Sequence, residues 1–245
     1  FADATRRWVR RKMSDFECSA RSTEASRSVR VFSQYPVFPR VLNNNTSLSF
    51  RVNDLKLYRD MMLPIGCQGG RTTDADANYA EKGVHSNFCL SSPSIVMRAL
   101  VRLNPYAESL LQEMSGTRLE VGTRLFTSVA AFHTASVVQS KTELVPEFFT
   151  VPEVFEDGNH LFCGTDSIGP VALPPWCAHA LSSSRSFVAS MRAALESPEA
   201  TRGLPHWIDL VFGVDQQSIA RRNVLSEEYT KDSTVHPDDR TAHWE

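Results

Sequence analysis

Apolar positions recur at helical spacing towards both ends of the chain and lose that regularity in between, where prolines break into them. Over residues 5 to 13, at about 100° per residue, Arg6, Arg7, Arg10 and Arg11 fall on one helical face and Trp8, Val9 and Met13 on the other. Ser14-Asp15-Phe16-Glu17 then has the Ser-x-x-Glu form of a capping box, so a second helix is predicted from there towards Arg27.

From Tyr35 to Gly70 the chain is punctuated by Pro36, Pro39, Asn43-Asn44-Asn45, Pro64 and Gly69-Gly70, which leaves room only for extended and loop structure. Arg71 to Gly83 is polar and charge-rich and reads as a flexible surface loop. Ser92-Pro93 and Asn104-Pro105 both look like an N-cap followed by proline at the first helical position. They predict helices over Ile95 to Leu103 and over Tyr106 to Met114, the latter stopped at Gly116. A further helix is predicted from Arg124 to Val138, because Leu125, Val129 and Phe132 recur at helical spacing.

Residues 143 to 176 carry Pro146, Pro152, Pro170, Pro174 and Pro175 among large apolar groups. Such a stretch is buried yet is neither a sheet centre nor a long helix, so an irregular core segment is expected. Helices resume over Arg185 to Leu195, as short pieces after Ser197-Pro198, over Pro205 to Phe212 closed by Gly213, and over Ser218 to Leu225. The fold class is therefore mainly α, with helices surrounding non-regular, proline-rich buried segments. One domain is expected over residues 1–231, with a polar tail at 232–245.

At 245 residues and 42% hydrophobic, the chain can bury one substantial core. Its net charge of -2 provides no global basic field, so nucleic acid is not expected as a partner. The five cysteines, Cys18, Cys67, Cys89, Cys163 and Cys177, are scattered and odd in number, which fits reduced thiols in a cytosolic setting. No apolar run approaches the ~20 residues that span a bilayer, and the chain, opening on Phe1, reads as a module of a longer polypeptide.

Known catalytic patterns are missing. The glycine cluster Gly66-Cys67-Gln68-Gly69-Gly70-Arg71 lacks the lysine, hydroxyl and helix of a phosphate cradle, and the seven histidines stand at no metal-ligand spacing. No cofactor is expected. His85 and Cys89, four apart, form a thiolate-imidazole pair only if that stretch is helical, and this supplies the alternative reading of a cysteine-dependent hydrolase.

Three acids sit inside apolar runs: Glu147 after Pro146, Glu196 at a helix end, and Asp209 between Ile208 and Leu210. They are expected to be buried structural clamps that bind backbone amides and arginines such as Arg59, Arg124 or Arg192, because a core poor in regular ladders must satisfy its backbone with side chains. Loss of Asp209 should then lower the melting temperature sharply. The stripe of Arg6, Arg7, Arg10 and Arg11 offers a weak contact with an anionic membrane surface.

Four strings in the second half, Glu143-Leu144-Val145-Pro146-Glu147-Phe148-Phe149, Leu173-Pro174-Pro175-Trp176, Ala194-Leu195-Glu196-Ser197 and Trp207-Ile208-Asp209-Leu210-Val211-Phe212-Gly213, resemble the BEACH domain in order and spacing. The resemblance extends upstream through Gln34-Tyr35-Pro36-Val37-Phe38-Pro39-Arg40-Val41-Leu42 and Tyr58-Arg59-Asp60-Met61-Met62-Leu63-Pro64-Ile65-Gly66. It departs at Arg40, where the family usually has an aromatic, and at Asp215, where it tends to have lysine. The resemblance implies a helical shell around an irregular core and no enzymatic activity. It implies a scaffold module in vesicle trafficking, in fission or fusion of lysosome-related organelles, or in autophagy, cytoplasmic and peripheral to endosomal or lysosomal membranes. As partners it implies an adjacent pleckstrin-homology-like domain of the same polypeptide and trafficking or autophagy proteins, often with WD40 repeats downstream. The candidate domain interface is Gln34, Tyr35, Phe38, Arg40, Tyr58 and Arg59, and an exposed apolar patch is expected near it.

Overall fold

The computed structural model describes residues 2–26, 35–43, 47–85, 93–107, 126–134, 142–158, 162–163, 166–167, 169–177 and 184–224. The helices are α1 (Ala2–Val9), α2 (Asp15–Ser26), α3 (Thr72–Lys82), α4 (Pro93–Leu100), α5 (Val129–Thr134), α6 (Ser184–Leu195) and α7 (Pro198–Val211). Among the described residues the only sheet is a two-residue antiparallel hairpin, Phe162–Cys163 against Asp166–Ser167. The fold is mainly α around an irregular extended core.

The capping box forms as its residues demand. The Ser14 hydroxyl accepts from Glu17 N–H at 3.1 Å and the Glu17 carboxylate from Ser14 N–H at 3.1 Å, so two end donors of α2 are satisfied reciprocally. Helix α1 stops at Val9, and Val9 is exposed, whereas Met13 is buried and Trp8 half-buried. The apolar face of the first segment is therefore narrower than its periodicity predicts.

Helices α2, α6 and α7 pack on one another, and α6 rests on two 3-10 turns, Pro146–Phe149 and Pro152–Phe155. These turns belong to the irregular core, as the prolines predict. A third, Pro175–Cys177, follows. Isolated bridges Phe38 to Leu144, Leu42 to Tyr58 and Ser128 to Ala172 stand in for a sheet. Phe126, Phe132, Phe148, Phe155, Phe187 and Trp176 form a continuous chain of ring contacts with centroids 4.8–5.8 Å apart.

Four local expectations are corrected. Arg71 to Gly83 is not a loop: Thr72–Lys82 is helical, with Asp74 in its first turn and Lys82 in its last, and Gly83 closes it at φ 71° by donating to Tyr79 O. The helix expected from Arg124 starts only at Val129, because Phe126 and Thr127 are extended and Thr127 O accepts from Ala172 N–H. Pro205 does not begin a new helix. It lies inside α7, whose face of Ala200, Leu204, Trp207, Leu210 and Val211 is buried, and that burial outweighs one lost backbone bond of about 3 kcal/mol. Ser218 to Val224 is a run of turns without a helix.

The expected helix over Tyr106 to Met114 is described only at Tyr106–Ala107. The tail 232–245, together with Gln34, Cys89 and Arg124, lies outside the described residues.

Candidate interaction site

The proline-interrupted segment begins with a buried acid. Glu143 is buried, and its carboxylate accepts from the Arg40 backbone N–H at 2.9 Å, from Arg59 Nη1 at 2.9 Å and from Trp207 Nε1 at 3.1 Å. It thereby ties the extended segment at Phe38–Arg40, the turn after Tyr58 and helix α7 to one point. Charge-assisted bonds of this kind are strong when both carboxylate oxygens are engaged, as here. The sequence reading placed this role on other acids; the signal for Glu143 was its position directly ahead of the buried Leu144-Val145.

The three expected acids are distributed differently. Glu147 is half-buried and accepts from the Tyr35 hydroxyl, and burial together with this carboxylate pushes the Tyr35 pKa up. Glu196 is exposed rather than buried, yet it does bind backbone amides: Asp15 N–H at 2.8 Å and Phe16 N–H at 3.1 Å. It sits at the N-terminus of α2, where a carboxylate is favoured, and pairs with Arg192 at 3.4 Å. Asp209 is half-buried, and its carboxylate accepts no hydrogen bond among the described residues. Burial, then the neighbouring Asp215, raises its pKa.

A second buried cation, Arg102, was not singled out by the sequence. Its guanidinium donates to Phe126 O at 3.0 Å, Gly169 O at 2.6 Å and Glu156 O at 3.3 Å, with Asp157 at 3.6 Å. It joins three stretches of irregular backbone. Gln68 does the same for Asp60 O and Leu63 O, and Asn223 for Leu210 O and Asp215 O. Side chains thus replace the ladder bonds that regular strands would supply.

Of the candidate interface residues, Phe38, Arg40 and Arg59 are buried and Tyr35 and Tyr58 half-buried. Tyr58 donates to Val52 O at 2.7 Å. The buried three therefore do not form an exposed surface. The exposed apolar side chains of the same region are Leu48 at 75%, Leu55 at 64% and Met62 at 46%. Arg6, Arg7, Arg10 and Arg11 are all exposed on and just after α1.

His85 serves structure. Its Nδ1 accepts from Val224 N–H at 3.2 Å, its backbone N–H donates to Val224 O, and its ring stacks on Tyr79 with centroids 4.3 Å apart. A nitrogen so engaged is not free to take a thiol proton. Burial pushes the Cys18 and Cys177 thiols up to about 11, away from the thiolate a nucleophile needs. Among the described residues no group of His, Cys, Asp and Glu could hold a metal ion, and no helix is long and apolar enough to cross a membrane.

A helical shell on irregular chain, clamped by a buried Arg–Glu pair and by side-chain bonds to backbone, defines a mainly α class in which the core is not built from regular elements. The chain belongs to the BEACH domain family: the model of the Beige/BEACH domain matches residues 6–243. It is 32% identical to BEACH domain-containing protein A2 of Arabidopsis thaliana, over 96% of this chain and 7% of that protein. It is 34% identical to Beige protein homolog 1 of Schizosaccharomyces pombe, over 91% of this chain and 9% of the relative. With WD repeat- and FYVE domain-containing protein 4 of Mus musculus it shares 33% identity, over 94% of this chain and 8% of the relative. The chain spans less than a tenth of the length of these relatives.

Proposed function

We propose that the chain is a non-catalytic protein-interaction module of a large scaffold acting in membrane trafficking, at the fission or fusion of lysosome-related organelles or in autophagy. The observation that carries this reading is the family match over residues 6–243. It is supported by the use of the acids: Glu143, Glu147 and Glu196 each accept hydrogen bonds from structural donors.

In this reading the module works in the cytoplasm, at the periphery of endosomal or lysosomal membranes. The face that carries Leu48, Leu55 and Met62, backed by Tyr35 and Tyr58, receives an adjacent pleckstrin-homology-like domain of the same polypeptide. The candidate interface residues Phe38, Arg40 and Arg59 are buried, and they and Gln34 lie close to these residues in sequence. The stripe of Arg6, Arg7, Arg10 and Arg11 adds a weak contact with anionic lipid.

Calorimetric titration of the chain with the separately expressed segment that precedes it in its full polypeptide tests the docking face. Binding is expected, and Leu55→Asp should abolish it without moving the melting temperature. Unaltered binding in that variant overturns the assignment of the face. A cysteine labelled by a thiol probe much faster than free thiol, with substrate turnover lost in Cys89→Ser, would overturn the non-catalytic reading.

A further inference from the structure

The guanidinium of Arg40 is enclosed in the irregular core, and its Nε and Nη2 meet no hydrogen-bond acceptor among the described residues. The one carboxylate acting on it, Glu143, is already engaged by the Arg40 backbone N–H, by Arg59 and by Trp207. Arg40 lines a cavity with Leu42, Val129, Phe132, Phe148 and Phe187 that has room for about one water-sized occupant. Its guanidinium carbon stands 6.0 Å from the Phe132 ring centroid.

The charge around this cavity is lopsided. Arg40, Arg59 and Arg71 all act on the neighbouring His133, whose Nε2 is likewise buried without a partner among the described residues, while Glu143 is the only carboxylate that acts on Arg40. Burial, before the opposing pull of Glu143, lowers the Arg40 pKa to about 10, which still leaves it charged at neutral pH.

We propose that the cavity beside Arg40 is a binding site for one small monovalent anion of halide size, held by the Arg40 Nε–H and Nη2–H. Water suits the site poorly, because arginine offers donors and no acceptor, so the hydrogens of a water molecule would point at apolar side chains. A phosphate or carboxylate suits it no better. Each has several oxygens needing donors, and apart from Arg40 the lining is aliphatic, aromatic and thioether. A spherical anion needs few directed donors, and a halide, somewhat larger than water, enters with a small displacement of the flexible Met191 side chain in the lining.

Thermal unfolding of the chain at fixed ionic strength, with sodium gluconate replaced stepwise by sodium chloride, tests the site. A saturable rise in Tm of about 2–4 °C is expected, and Arg40→Met should remove the chloride dependence. In crystals grown with bromide, an anomalous peak is expected in contact with Arg40. A Tm indifferent to the exchange, a chloride response that persists in Arg40→Met, or bromide seated only elsewhere overturns the proposal. Should Arg40→Met fail to fold, the bromide position in the unaltered chain decides the question.

Discussion

The described residues of segment 142–177 and the helical pair α6–α7 touch each other and are held by different forces. In the first, backbone groups are satisfied piecemeal: Leu144 exchanges bonds with Phe38, Val171 N–H reaches Phe155 O at 3.0 Å, and Arg102 gathers three carbonyls. In the second, the helices satisfy their own backbones and contribute buried apolar residues, Phe187, Val188, Met191, Ala194 and Leu195 from α6 and Ala200, Leu204, Trp207 and Val211 from α7. One region is therefore sensitive to the loss of a polar partner and the other to a change of volume.

Removing the buried acid gives the widest separation between the two. Glu143→Ala leaves Arg59 charged and buried without its partner, and should lower stability by about 3–5 kcal/mol in urea unfolding. Arg102→Met keeps the apolar stem but strips donors from Phe126 O, Glu156 O and Gly169 O, with an expected loss of about 2–3 kcal/mol by the same measurement.

Acid should act on the core through His133 of α5, outside both regions. Burial, then Arg40, Arg71 and Arg59, lowers its folded pKa to about 3, against an unfolded value of about 6.5. The folded state thus prefers the neutral ring, so this contribution is fully present above about pH 6.5 and is lost as pH falls from there towards 3. Between pH 7 and pH 5 the loss should be about 2 kcal/mol, and His133→Gln should flatten the profile.

In the helical region a single methyl group is the sharper probe. A Cβ on Gly203 would stand 2.8 Å from Met61 Cβ, so Gly203→Ala should cost about 1 kcal/mol, the crowding outweighing the gain in helix propensity. Asp209→Ala should change stability by no more than about 0.5 kcal/mol, since its carboxylate holds nothing among the described residues. A sharp fall in its melting temperature would restore the clamp expected from the sequence.

Much of the fold was legible because it rests on local chemistry. Ser14 and Glu17 announce α2 by themselves, and Pro146, Pro152 and Pro175 mark the three turns of the core. Thr72–Lys82 was misread because polarity outweighed its helix signals, an acidic first turn, a lysine in the last and Gly83 beyond it. Pro205 misled because a local rule was overridden by tertiary burial of Leu204 and Trp207. The site was less legible: Glu143 meets Arg59 across 84 residues and Arg102 meets Gly169 across 67, and no local pattern encodes such meetings.

The cap that Glu196 places on α2 has a consequence for how the protein is made. Asp15 and Glu196 are 181 residues apart, so the growing chain must wait roughly 10–35 s, at about 5–20 residues per second, before the carboxylate that finishes its second helix has even been synthesised. The same holds for Trp207, which completes the shell of Glu143. During that interval the aromatic residues of the core are already present and lack their cover, which makes the nascent chain a natural client for chaperones on the ribosome. Trimming the module from its C-terminal side would leave its beginning permanently in that state.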